Sequence, residues 1–79
     1  MRDRSELTNR IRDHRFQNGE ITQETLAQQV GVTRQTIIAL ESGKYVPSLL
    51  LALKLASAFG VTIEELFQYN GSPTKRLRK

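Results

Sequence analysis

Apolar residues recur along this chain in short, helically spaced sets: Leu7 and Ile11, Leu26 and Val30, Ile37 and Leu40, then Ala52, Leu55, Ala56 and Phe59, and finally Leu66. Positions three and four apart share one side of a helix, so each set marks a face turned towards a core. The gaps between the sets are punctuated regularly. Glycine stands at 19, 31, 43 and 60, and a hydroxyl residue follows shortly after each one, at 22, 33, 48 and 62. Helices commonly stop on a left-handed glycine and start on a Ser or Thr whose oxygen accepts a bond from an orphan backbone N–H. Three of the starts also have apolar residues on either side of the cap, Ile21 with Leu26, Val32 with Ile37, and Val61 with Leu66, the spacing of a hydrophobic staple. Thr62 and Glu65 add the spacing of a capping box.

This pattern predicts an all-α fold of five short helices: Glu6 to Asn18, Gln23 to Val30, Arg34 to Ser42, Leu49 to Phe59 and Ile63 to Gln68. No strand is needed to account for it. The third helix is only about two and a half turns long, too short to be stable alone, so its position must come from tertiary packing.

Composition narrows the range of functions. A chain of 79 residues makes one small domain, and such a domain buries only about 60–65% of the surface its unfolded chain exposes, which leaves little room for a large catalytic cleft. There is no cysteine, hence no disulfide framework, thiolate nucleophile or zinc finger, and the single histidine, His14, cannot build a metal centre. The longest apolar run, Leu49 to Leu53, is far short of the roughly 18 residues of a membrane span, and the amino terminus has no signal-peptide core. The expectation is a cytoplasmic protein with no cofactor, metal, membrane or small-molecule ligand. Glu64 and Glu65 are not read as a catalytic acid pair. Glu65 belongs to the capping box, and Glu64 lies in a first turn, where negative charge complements the helix dipole. Neither a catalytic histidine, a serine elbow nor a phosphate loop accompanies them.

The formal net charge of +4 hints at an anionic partner, but its distribution is uneven. Basic and acidic side chains balance over residues 1–74, and the whole excess lies in Lys75, Arg76, Arg78 and Lys79. Composition changes at Asn70-Gly71-Ser72-Pro73, which favours turns and offers nothing to bury. Residues 1–70 therefore read as the folded domain and residues 71–79 as a basic tail.

The segment Gln23 to Leu40 is the most informative. Two short helices joined by Gly31-Val32-Thr33 must cross steeply, which requires a small residue where the backbones approach, and Ala27 supplies it. With Leu26, Val30, Val32, Ile37 and Leu40 turned inward, Arg34, Gln35, Thr36 and Ala39 remain on the outer face near the start of the second helix of the pair. That face has no acid. Arg pairs with the O6/N7 edge of guanine and Gln with the N6/N7 edge of adenine.

Gln23-x-x-x-Ala27-x-x-x-Gly31-Val32-Thr33, then Ile37-x-x-Leu40-Glu41-x-Gly43-Lys44, then Pro47-Ser48-x-x-x-Ala52 closely resembles the Cro/CI-type, or XRE-type, helix-turn-helix family over about residues 8–69. Asn9-Arg10-Ile11-Arg12, Thr33-Arg34-Gln35-Thr36-Ile37 and Phe67-Gln68-Tyr69 resemble its small single-domain members. The resemblance implies a compact, five-helix, phage-repressor-like domain that binds double-stranded DNA. It implies that the third helix lies in the major groove with Arg34, Gln35, Thr36 and Ala39 reading bases. Gln23, Thr33, Lys44 and Tyr45 match positions that contact phosphate, Gln23 also bracing the first turn of the third helix. Arg15 and Glu41 match a structural ion pair between the first and third helices. The function implied is transcriptional regulation, chiefly repression, by a homodimer on a pseudo-palindromic operator. An antitoxin or protein-interaction module on the same fold is the alternative.

Three features depart from the family pattern. His14 stands where Leu is usual and reads as a partly buried packing residue rather than a pH sensor. Leu50 replaces a common Glu, either as an isolated exposed leucine or, with Leu51 and Leu53, as part of a dimer surface. Helix 5 with Phe67-Gln68-Tyr69 is the first candidate for that surface by family analogy and helix 4 the second. The basic tail is either a solubilising end or an arm that adds phosphate contacts.

Overall fold

The computed structural model describes residues 6–71 together with Leu77. The element order is β1 (Leu7–Asn9), α1 (Ile11–Gln17), α2 (Gln23–Val30), α3 (Arg34–Glu41), α4 (Leu49–Phe59), α5 (Ile63–Leu66) and β2 (Phe67–Tyr69). Four helices start as their hydroxyl residues predict. Thr22, Thr33, Ser48 and Thr62 each accept, through the side-chain oxygen, a hydrogen bond from the backbone N–H three residues on. Glu65 completes the capping box by accepting from the Thr62 N–H at 2.8 Å.

Five helices form; α3 ends one residue early, at Glu41 rather than Ser42, and two others are shortened more. α1 begins at Ile11 rather than Glu6, and α5 ends at Leu66 rather than Gln68. Residues 7–9 and 67–68, given up by these helices, form an antiparallel ribbon together with Tyr69, with Leu7 opposite Tyr69, Thr8 opposite Gln68 and Asn9 opposite Phe67. The ribbon overturns the strand-free expectation, and its cause is local. Asn9 Oδ1 accepts from the Ile11 N–H at 3.1 Å, an i to i+2 side-chain bond that competes with helix and starts α1 two residues later. At the other end Phe67 is already extended (φ −125°, ψ 136°), in a stretch whose two aromatics favour a pleated surface. Asn70 closes the ribbon with its N–H on the Glu6 carbonyl at 2.7 Å and its side-chain amide on Thr8 Oγ1 at 2.8 Å.

The core is one cluster, built on Ile11, Leu26, Ile37, Leu40, Leu55 and Leu66, all essentially inaccessible. Each such side chain contributes about 1.5–3 kcal/mol relative to leaving it in water. Ile21, Val32 and Val61, the outer members of the three staples, pack against this cluster. Two residues differ from the expected core: Leu7 is only half-buried, on the ribbon, and Leu51 is buried in α4 rather than lying on its outer surface. His14 is half-buried with its ring 5.5 Å from that of Phe59.

The tail proposed for residues 71–79 falls outside the described residues except for Gly71 and Leu77. Among the described residues no helix is long and apolar enough to cross a membrane.

Candidate nucleic-acid interface

The geometry that presents α3 originates in the turn before it. Gly31 ends α2 in the left-handed region at φ 77°, which lets the N–H of Gly31 and that of Val32 both reach the Ala27 carbonyl. An L residue would be strained there, at a cost of about 1–2 kcal/mol. Ala27 itself is buried, as the close approach of α2 and α3 requires. The chain then re-enters helix at Thr33, and α3 leaves with its amino-terminal end in solvent.

Arg34 and Gln35, in the first turn of α3, are exposed, and among the described residues neither side chain makes a hydrogen bond or ion pair. Thr36 and Ala39 are half-buried. The Thr36 hydroxyl lies 3.1 Å from the Thr33 hydroxyl, and the Ala39 carbonyl accepts from the Lys44 N–H at 2.9 Å and the Ser42 hydroxyl at 3.1 Å. The expected reading face therefore divides into two long, unengaged side chains and two short ones fixed close to the backbone. Lys44 and Tyr45 are exposed in the loop that follows α3.

Glu41, at the end of α3, is turned away from this surface. Arg15 Nε donates to its Oε2 at 2.6 Å and Nη2 to its Oε1 at 3.1 Å, while Nη1 donates to the Ile21 carbonyl at 3.0 Å. Both side chains of this fork are about nine-tenths buried. Gln23 Nε2 joins the pair, donating to Glu41 Oε1 at 3.1 Å. Gln23 thus braces the last turn of α3 rather than its first, because the carboxylate offers its amide a charged acceptor. With its only acid engaged in this way, α3 presents positive and neutral groups outward.

Sequence reasoning passed over two residues. Phe16 is half-exposed on α1 and has two guanidinium groups near its ring, Arg12 at 5.4 Å and Arg15 at 5.3 Å from the ring centre, within cation–π range. Arg12 has no ion pair or hydrogen bond among the described residues. It lines the same open concavity as Thr22, Gln23 and Arg34, between α1 and the amino ends of α2 and α3. The signal was in the chain: Arg12 and Phe16 are four apart on a helix and outside the apolar stripe.

The comparisons agree with this architecture. A family model described as helix-turn-helix matches residues 15–66. An uncharacterised HTH-type transcriptional regulator of Methanocaldococcus jannaschii is 63% identical over 49 residues, 62% of this chain and 74% of that protein. Another, of Archaeoglobus fulgidus, is 52% identical over 64 residues, 81% of this chain and 90% of its own length. Among solved structures, a candidate DNA-binding protein from Bacteroides fragilis superposes with a TM-score of 0.70 at 31% identity, covering 78% of this chain and 98% of that one. The restriction-modification controller protein C.AhdI from Aeromonas hydrophila does so at 0.65 and 38%, covering 71% and 80%. With the family match running from the first helix through the fifth, and the α2–turn–α3 geometry at its centre, this chain belongs to the helix-turn-helix family, among its Cro/CI-type transcriptional regulators.

Proposed function

We propose that the protein is a sequence-specific repressor that binds a pseudo-palindromic operator as a homodimer, with α3 in the major groove of each half-site. The observation that carries this reading is the amino-terminal end of α3, where the Arg34 and Gln35 side chains stand in solvent without partners among the described residues while Glu41 is sequestered by Arg15 and Gln23. An eight-residue helix is about 12 Å long, matched to a major groove about 12 Å wide. Arg34 and Gln35 take the base edges that need long side chains. Thr36 and Ala39, held close to the helix, offer a methyl and a short contact to thymine.

Phosphate contacts fix the register. Lys44 and Tyr45 supply them beyond the far end of α3, and Thr33 flanks its start. The Gln23 side chain is engaged with Glu41, so the contribution of this position comes from the backbone N–H groups opening α2, where the helix end favours anions. Arg12, held over Phe16, adds a cation on the same side. One domain spans only a few base pairs, so two copies on half-sites about 34 Å apart supply the discrimination.

Selection of bound duplexes from a random pool, read by gel shift, tests the proposal. A two-fold symmetric motif is expected. Absence of any enriched motif at low salt overturns specific recognition and leaves the antitoxin or interaction-module reading.

A further inference from the structure

The outward face of α3 has an aliphatic side chain at its centre. Of the three large aliphatic residues of this helix, Ile37 and Leu40 are buried in the core. Ile38 is only half-buried, and it belongs neither to the core cluster nor to the partly buried hydrophobics packed against that cluster. It follows Arg34 by four residues and Gln35 by three, and precedes Ser42 by four; all three of these are exposed. Residues at those spacings are neighbours on a helix surface, so Ile38 lies one turn beyond Arg34 and Gln35 and between them around the helix.

We infer that Ile38 reads the C5 methyl group of a pyrimidine, so that methylation of a cytosine at carbon 5 in the operator strengthens binding as a thymine does. The inference rests on the operator reading above and adds to it one residue and one chemical signal.

The chemistry of the side chain selects this ligand. Ile38 has no donor or acceptor to offer a base edge, and the apolar group that base pairs present in the major groove is the thymine methyl. 5-Methylcytosine carries the same group at the same place. Since the contact cannot sense whether the neighbouring atom is the O4 of thymine or the N4 amino group of cytosine, it registers the methyl alone. A β-branched side chain in a helix is also nearly confined to one χ1 rotamer, so little freedom is lost when it meets the base. Its register follows from helix geometry. One turn advances about 5.4 Å against about 3.4 Å for a base step, which places the methyl about one or two base pairs from the edge that Arg34 takes.

The test starts from the duplex that the full chain selects. Each thymine is replaced in turn by uracil and each cytosine by 5-methylcytosine, and Kd is measured by fluorescence anisotropy. At one position in each half-site, uracil should weaken binding about 4-fold, the worth of one buried methyl group. With cytosine placed there, methylation should strengthen binding by about the same factor. Ile38→Ala should abolish both factors at that position, whereas Arg34→Ala should lower affinity and leave both in place. Ile38→Val, which keeps two methyl groups, should retain part of each, and circular dichroism melts establish that the variants are folded. The thymine–uracil comparison on the wild type needs no variant. Equal affinity for thymine and uracil, and for cytosine and 5-methylcytosine, at every position overturns the inference. Methyl factors that all survive Ile38→Ala also overturn it and pass the role to Thr36 or Ala39. Either result leaves the operator reading intact, whereas a pool from which no motif is enriched removes the operator and the methyl reader together.

Discussion

Removing the Glu41 carboxylate by Glu41→Ala should destabilise the whole domain, although the residue lies at the end of a helix near the surface. Arg15 is 7% exposed, and its guanidinium has three hydrogen bonds, two of them to Glu41. The substitution leaves that charge buried with the Ile21 carbonyl as its one remaining hydrogen-bond partner among the described residues, and takes the acceptor from Gln23 Nε2. Breaking a buried pair on one side costs about 3–5 kcal/mol. At roughly 0.05–0.15 kcal/mol per residue, the total stability of a domain this size is about 4–12 kcal/mol. A loss of 3 kcal/mol therefore removes a quarter or more of it and lowers the melting temperature by at least about 12 °C. Urea unfolding followed by circular dichroism measures the change. Arg15→Met together with Glu41→Leu should recover most of the loss, because two apolar side chains of similar volume leave no charge stranded. A Glu41→Ala cost below about 1 kcal/mol, as found for exposed pairs, or a double variant no better than the single one, would refute the reasoning.

Arg34→Ala or Gln35→Ala should cost about 1–3 kcal/mol on the selected site and relax one position of the motif; equal losses on random duplexes, measured by fluorescence anisotropy, would reduce them to phosphate contacts. Arg12→Ala should weaken binding to all sequences alike and lower the slope of log K against log[salt] by about 0.9, and a change confined to one base position would contradict its assignment. Deleting residues 72–79 should flatten the same plot by up to roughly 0.9 per phosphate contact removed; an unchanged slope makes the tail irrelevant to DNA. Glu20 has φ 57° in the turn after α1, so Glu20→Gly should relieve part of a backbone cost of about 1 kcal/mol and raise the melting temperature, and a fall would show that its side chain matters more than its backbone.

The elements that were legible in the sequence are those whose ends carry chemical signals. α2 and α4 run from hydroxyl cap to left-handed glycine and match residue for residue, because both ends are written in side-chain types. α1 and α5 failed at the ends without such signals. Leu7 and Ile11 are four apart, which fits a helix, yet the pairing of Thr8 with Gln68 joins residues from opposite ends of the chain, and no local pattern encodes it. Asn9 carries the available clue: it supplies a bond to the start of α1, and its amide donates to the Leu40 carbonyl at 2.8 Å. In the candidate site, the outward face of α3 followed from periodicity alone. The place of Gln23 beside Glu41 did not, since the reach of a side chain between helices depends on the crossing angle. The division of the α4 leucines, Leu51 inside and Leu49 out, depends likewise on how the helix is rolled against its neighbours.

The β1–β2 ribbon also bears on how the molecule is made. Its strands lie at the two ends of the folded region, with Leu7 paired to Tyr69, whereas the contacts between α2 and α3 join near neighbours in the chain. Local contacts form early and distant ones late. During synthesis the α2–α3 hairpin can therefore assemble while β1 still lacks its partner, and the ribbon closes only when the final strand has left the ribosome. Asn9, on β1, donates to the Leu40 carbonyl near the end of α3, so closure of the ribbon also fixes the group that meets the base of α3.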